Sequence, residues 1–179
     1  MEIKPDGEQI VIQIEPIEVK VLGDLANQLL DITSPNSEVV ENEDPLAALI
    51  GIDSQAAKPT DPILTRLFPD AYPDDPDASM EFRRFTERSL RDTNVTRAKR
   101  VLADLEGRTK LTLNSDQWQQ WVGFLNSLRL ALGTRLEIDQ ESWNEERSES
   151  DPLYQLHELY DWLTWMQETL ISIGYFGGE

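Results

Sequence analysis

The stretch from Asn114 to Leu136 limits the possible folds of this chain more than any other. Trp118, Trp121, Leu125, Leu128, Leu132 and Leu136 recur at spacings of three and four, which places them along one side of an α-helix. Gly123, Ser127 and Ala131 recur at spacing four on the opposite side, where small residues let a second backbone come close. A helix covered on both sides is central to its domain. The spacing predicts a long helix over 115–136, with Asn114-Ser115 as its cap. The small stripe reads as the seat of an intrachain neighbour, with a dimer seam as the alternative.

Other elements follow from equally local signals. Gln9-Ile10-Val11-Ile12-Gln13-Ile14 is rich in β-branched residues and ends at Glu15-Pro16, as a strand feeding a helix start would. Ile17, Val21, Leu25 and Leu29, widened by Leu22, Ala26 and Leu30, predict an amphipathic helix over 16–32. Lys110-Leu111-Thr112-Leu113 is a second short strand, and the two strands should pair, because an isolated strand leaves backbone groups unsatisfied. Phe82, Phe85 and Leu90 mark a helix over 77–91; Val95, Ala98, Leu102 and Leu105 mark another over 94–106. A last helix is expected over 152–173, with Leu153, Leu156, Leu159, Tyr160, Leu163, Met166 and Leu170 facing one way and Gly174 as C-cap.

Asp-Pro occurs at Asp44-Pro45, Asp61-Pro62, Asp75-Pro76 and Asp151-Pro152. Each pair suits a helix start, since the carboxylate accepts orphan amide hydrogens and proline loses nothing at the first position. Asp70, Asp74, Asp75 and Asp77 lack the glycine and closing glutamate of a calcium loop, so capping accounts for them better. Residues 33–60 form an acidic insert, interrupted by a short apolar face of Leu46, Leu49 and Ile50, that should be mobile or weakly docked. Residues 139–150 read as an acidic loop carrying Trp143. The whole is a single α+β domain, 1–179, mainly α: a helical core around two long helices, 115–136 and 152–173, with a small sheet containing two short strands.

A formal charge of −18 over 179 residues repels phosphate backbones and anionic lipid, so nucleic acid and membrane are not expected partners. The charge is uneven: nine of the sixteen Lys and Arg lie between Arg83 and Lys110, while acids dominate 70–77 and 137–151. The absence of cysteine excludes disulfides and thiolate metal sites, and with an N-terminus lacking a basic-then-apolar pattern it fits the cytoplasm.

No phosphate loop, nucleophile elbow or paired-histidine helix occurs, and no catalytic, cofactor-binding or metal-ligating residue is assigned. The single histidine, His157, precedes Asp161 by four, but no serine is placed to serve as its nucleophile; a structural histidine accounts for it better. Arg129 and Arg135 flank the long apolar face. With Arg83 and Arg84 they are candidates either for buried ion pairs, to Asp161 or an acid of the 70–81 turn, or for an anion pocket. On the last helix, Tyr154, Glu158, Asp161, Trp165 and Glu168 share the side away from the leucines. Two aromatics on an acidic stripe are costly to leave in water, so either another element of the fold covers them, the commoner case for one helix, or a partner does; on the second reading these five residues are the candidate interface, for a protein partner or a homodimer.

Four blocks carry a resemblance. Leu67-Phe68-Pro69-Asp70-Ala71-Tyr72, Glu81-Phe82-Arg83-Arg84-Phe85-Thr86, the run Leu125 to Leu136 and the run Tyr160 to Glu168 resemble a family of small acidic actinobacterial proteins catalogued as a domain of unknown function. The similarity covers nearly the whole chain, with 33–60 the most divergent part. Genes of that family are often found beside the gene for the Clp protease adaptor, so the resemblance implies a place near regulated proteolysis. The function expected is that of a non-enzymatic protein-interaction or regulatory protein linked to the Clp adaptor system. The alternative is an enzyme or a small anionic ligand-binding protein using an arginine pocket.

Overall fold

The computed structural model describes residues 1–34, 57–139 and 148–176. The fold is mainly α with one small antiparallel sheet. Strands β1 (Glu2–Asp6) and β2 (Gln9–Gln13) form a hairpin in register from Glu2 opposite Gln13 to Asp6 opposite Gln9. Its two-residue loop begins at Gly7, whose φ of 62° lies in the region glycine enters without strain. β3 (Lys110–Leu113) pairs antiparallel with β2, Ile10 opposite Leu113 and Ile12 opposite Leu111, in the order β1-β2-β3. The two strands read from the sequence therefore do pair. β1 is an addition to that expectation. Its apolar content is Ile3 alone, and its Pro5 lacks the amide hydrogen a central strand needs, which suits an edge strand and hides it from a search for apolar alternation.

Helix α1 (Pro16–Thr33) starts where expected; the Glu18 carboxylate accepts from the Glu15 amide at 2.8 Å. Its buried seam is Leu22, Ala26, Leu29 and Thr33, while Ile17, read as part of the stripe, is exposed. Asp61 and Asp75 both act as N-caps. The Asp61 carboxylate accepts from the amides of Ile63 (2.7 Å) and Leu64 (3.1 Å) to open α2 (Pro62–Leu67), and Asp75 accepts from Ala78 (3.0 Å) to open α3 (Pro76–Leu105). The Asp44-Pro45 pair, the short face of Leu46, Leu49 and Ile50, and Trp143 lie outside the described residues.

α3 is one helix of 30 residues, where two were expected. The two were expected from separate apolar sets, Phe82, Phe85 and Leu90 against Val95, Ala98, Leu102 and Leu105, and between them lie Thr93 and Asn94, which can compete with a helix for hydrogen bonds. Here both bond within it: Thr93 Oγ1 donates to the Ser89 carbonyl and Asn94 Nδ2 to the Leu90 carbonyl. The Asn94 oxygen is taken by Ser127 Oγ of the neighbouring helix, so the residue that could have stopped the helix is used for packing.

α4 (Ser115–Arg135) is capped reciprocally by Asn114 and Gln117, each side chain accepting from the other's amide. Trp121, Phe124 and Leu125 are fully buried. The small stripe faces α3, Arg97 lying over Gly123 and Asn94 meeting Ser127, so an intrachain neighbour occupies it. α5 (Tyr154–Phe176) packs along α4 and contributes Leu163, Met166 and Leu170 to a core shared with Ile10, Ile12, Ile14, Leu22, Ala98, Val101 and Leu111.

Two expectations for α5 need correction. The helix starts at Tyr154, so Leu153 precedes it and is exposed, its amide held by the Asp151 carboxylate at 2.8 Å. Gly174 does not cap the helix but lies inside it. A Cβ there would collide with the Trp118 indole, which is fixed by Nε1 donating to the Leu170 carbonyl at 2.7 Å. Close approach, not helix termination, explains this glycine. Among the described residues no helix is long and apolar enough to cross a membrane.

Candidate interaction site

The outer side of α5 is set by its inner side. Leu163, Met166 and Leu170 recur at three and four and are fully buried, with Gln167 beside them, and this rotation turns Glu158, Asp161, Trp165 and Glu168 to solvent. Trp165 is 42% exposed. Tyr154, at the start of the helix, is half-buried. The negative charge of Glu158, with partial burial and Glu149, pushes its phenol pKa up. The five residues form one acidic stripe with an aromatic at each of two levels. His157 lies on the buried side of the same helix with its Nδ1 unpartnered, and no hydrogen bond joins it to Asp161.

The four candidate arginines occupy different surroundings. Arg83, on α3, is buried; its guanidinium donates to Glu87, to Asp70 at 2.9 Å and to the Phe68 carbonyl at 3.0 Å. Glu87 is shared with Arg91, whose guanidinium stands 4.8 Å over the Phe68 ring. Arg84 is half-buried with Nε unpartnered. Arg129, on α4, takes neutral partners: Nε donates to Thr164 Oγ1 at 2.8 Å, Nη1 to Gln167 Oε1, and the guanidinium lies 5.5 Å from the Tyr160 ring centre. Arg135 is exposed. Arg83 and Arg129 share no partner, and it is Arg83 that takes an acid of the 70–81 turn.

The acids of that turn have local duties. Hydrogen bonds from Lys58 and then Arg83 hold the Asp70 carboxyl below its usual range, and Asp75 is spent on its cap. A buried carboxylate that sequence reasoning overlooked is Asp104 of α3, which accepts from Trp121 Nε1 at 3.0 Å, Gln117 Nε2 at 3.3 Å and Arg100 Nε. Its only sequence signal is the Arg100 four residues earlier.

Residues 1–173 match the family described as Domain of unknown function (DUF2017). The chain belongs to this family. It is 34% identical over 191 aligned residues, 94% of this chain and 83% of the relative, to the oxidative stress regulator AosR of Mycobacterium tuberculosis strain H37Rv. The same figures hold for the oxidative stress regulator AosR of Mycobacterium bovis. These relatives are actinobacterial, and their names describe a regulator. No solved structure matches.

Proposed function

We propose that this chain is a non-enzymatic regulatory protein of the oxidative-stress response that acts by binding another protein through the outer face of α5. The observation that carries the proposal is Trp165, 42% exposed on an acidic stripe. A tryptophan in water leaves a large apolar surface unused, and aromatic anchors dominate the energy of many interfaces. Glu158, Asp161 and Glu168 around it would raise the encounter rate with a basic partner while adding little affinity. The mycobacterial relatives, named oxidative stress regulators, supply the setting. Since these 179 residues hold no cysteine, thiol–disulfide exchange within them is excluded, which is compatible with a part played through contacts.

The test is capture of partners from the native cell by the wild-type chain and by Tyr154→Ala/Trp165→Ala. The double variant is expected to lose the partner while its melting temperature stays within a few degrees of wild type. Equal capture by both refutes the interface. If the double variant is instead unfolded, Trp165 belongs to the core and the assignment falls. The narrower form of this function, a place beside the Clp adaptor, predicts that purified adaptor is retained by the wild-type chain and not by the double variant.

A second proposal rests on Arg129, a guanidinium oriented by Thr164, Gln167 and Tyr160 with no carboxylate bonded to it among the described residues. That arrangement suits a small anion. Titration calorimetry with phosphate and with small carboxylates, on wild type and Arg129→Met, decides it: heat lost in the variant supports an anion site, and no heat in either removes it.

A further inference from the structure

Polar atoms buried without a partner are rare in a folded chain, and each calls for an explanation. Two guanidinium nitrogens of α3 are in that position, Arg84 Nε and Arg97 Nε. Arg97 is the one with a seat shaped for it. Its guanidinium lies across Gly123 of α4, where a Cβ would stand 2.5 Å from the Arg97 Cζ. Only the missing side chain lets the group lie against the α4 backbone. Other arginines of α3 are matched with acids, Arg83 and Arg91 with Glu87 and Arg100 with Asp104. Among the described residues Arg97 has neither an ion pair nor a hydrogen bond, in a chain that holds 34 acids.

The surroundings of Arg97 supply further donors. Arg100 stands three residues on, where helical side chains are neighbours; it is bonded to Asp104 through Nε and is 45% exposed. Asp104 also accepts from Trp121 and Gln117, so its capacity is spent and Arg97 is left unmatched. Beside the seam between α3 and α4 runs a shallow groove of about 480 Å³, whose walls include Thr96, next to Arg97 in the chain, and Gln120, one turn before Gly123. Neither the Thr96 hydroxyl nor the Gln120 amide makes another side-chain hydrogen bond among the described residues. Arg88 and Asp92, of opposite charge, line the same groove. At the seam itself two guanidinium groups, Arg97 and Arg100, stand against the single carboxylate of Asp104. That local excess is positive although the whole chain carries −18, and charges more than about 8 Å away are largely screened at physiological salt.

We propose that the seam between α3 and α4 binds a phosphate group, held by the Arg97 guanidinium, with Arg100, the Thr96 hydroxyl and the Gln120 amide as further donors. A carboxylate offers two coplanar oxygens, which one guanidinium edge can fill, whereas a phosphate has oxygens left outside that plane for the hydroxyl and the amide. The site is separate from Arg129, which faces α5 through Thr164 and Gln167.

The probes are inorganic phosphate and phosphoserine, each titrated into the isotope-labelled full chain at constant ionic strength set with chloride and followed by proton–nitrogen correlation spectra. Saturable shifts are expected at the Arg97 Nε–H and at the amides around Thr96, Gln120 and Gly123; saturation by either probe supports the site, and the tighter of the two tells a phosphate ester from the free ion. Arg97→Gln should weaken binding at least about ten-fold, the equivalent of one charge-assisted hydrogen bond. Gly123→Ala, which leaves every donor in the chain but pushes the guanidinium off its seat, should weaken it at least about three-fold, a loss of positioning alone. Arg129→Met should stay within about two-fold of wild type. The proposal is overturned if neither probe gives saturable shifts at the seam, if Arg97→Gln binds as wild type does, or if Arg129→Met abolishes the shifts.

Discussion

Replacing Trp121 with phenylalanine isolates one polar contact at the centre of the domain. The indole is fully buried, and its Nε1 donates to Asp104, itself 5% exposed, at 3.0 Å. Losing a hydrogen bond to a charged acceptor costs about 1.5–3 kcal/mol. The smaller ring leaves a void worth about 1 kcal/mol more. The carboxylate is not stranded, because Gln117 and Arg100 still donate to it, so no larger penalty is due. The expected loss is about 3 kcal/mol, or about 6–12 °C in melting temperature for a chain of this size. Trp121→Ala should cost about 3–5 kcal/mol through its cavity alone. Urea unfolding followed by far-ultraviolet circular dichroism measures both, and a cycle with Asp104→Ala should return a coupling of about 1.5 kcal/mol. A Trp121→Phe chain within about 0.5 kcal/mol of wild type, the noise of such melts, would refute a desolvated Trp121–Asp104 bond.

Other consequences are as direct. Gly174→Ala should destabilise by about 1–3 kcal/mol despite alanine's better helix propensity, because the new methyl meets a Trp118 ring held in place by Leu170; Gly123→Ala should be near neutral, because only the mobile end of Arg97 must move. Asp70→Asn should lower the urea midpoint at neutral pH. Since Lys58 and then Arg83 depress the folded pKa of Asp70, that stabilisation is full above the ordinary carboxylate range and is lost as pH falls through the lowered value, so wild type and variant should converge in acid once the carboxylate is protonated in both folded and unfolded chains; a pH-independent difference would contradict this. Arg129→Met should be less destabilised than Arg129→Ala in the same melts, because its stem still packs, and neither leaves a stranded acid, since the partners lost are Thr164 and Gln167; equal losses would show that stem packing contributes nothing.

Local chemistry made much of this fold legible. α1, β2, β3 and α4 lie where periodicity and β-branched content put them, and Asp61, Asp75 and Asn114 cap the helices they were expected to cap. These signals need no distant partner, since a cap is satisfied within three residues and an apolar stripe within two turns. The stripe of Tyr154, Glu158, Asp161, Trp165 and Glu168 was visible for the same reason, because residues at helical spacing share a side wherever the helix sits.

Periodicity does not say which side turns inward or what stands against it. Phe82 and Phe85 face solvent while Arg83 and Glu87 are buried, because Asp70 and the Phe68 carbonyl arrive from the preceding turn to satisfy the guanidinium. Asn94 is accommodated inside α3 with its amide on the Leu90 carbonyl and its oxygen taken by Ser127, 33 residues away. Gly174 is required by an indole 56 positions earlier in the chain. β1 is a strand because β2 offers it an edge. In the first three cases the deciding energy is a contact between residues distant in sequence, which exists only once the helices have packed, and in the last it is the neighbouring arm of a hairpin.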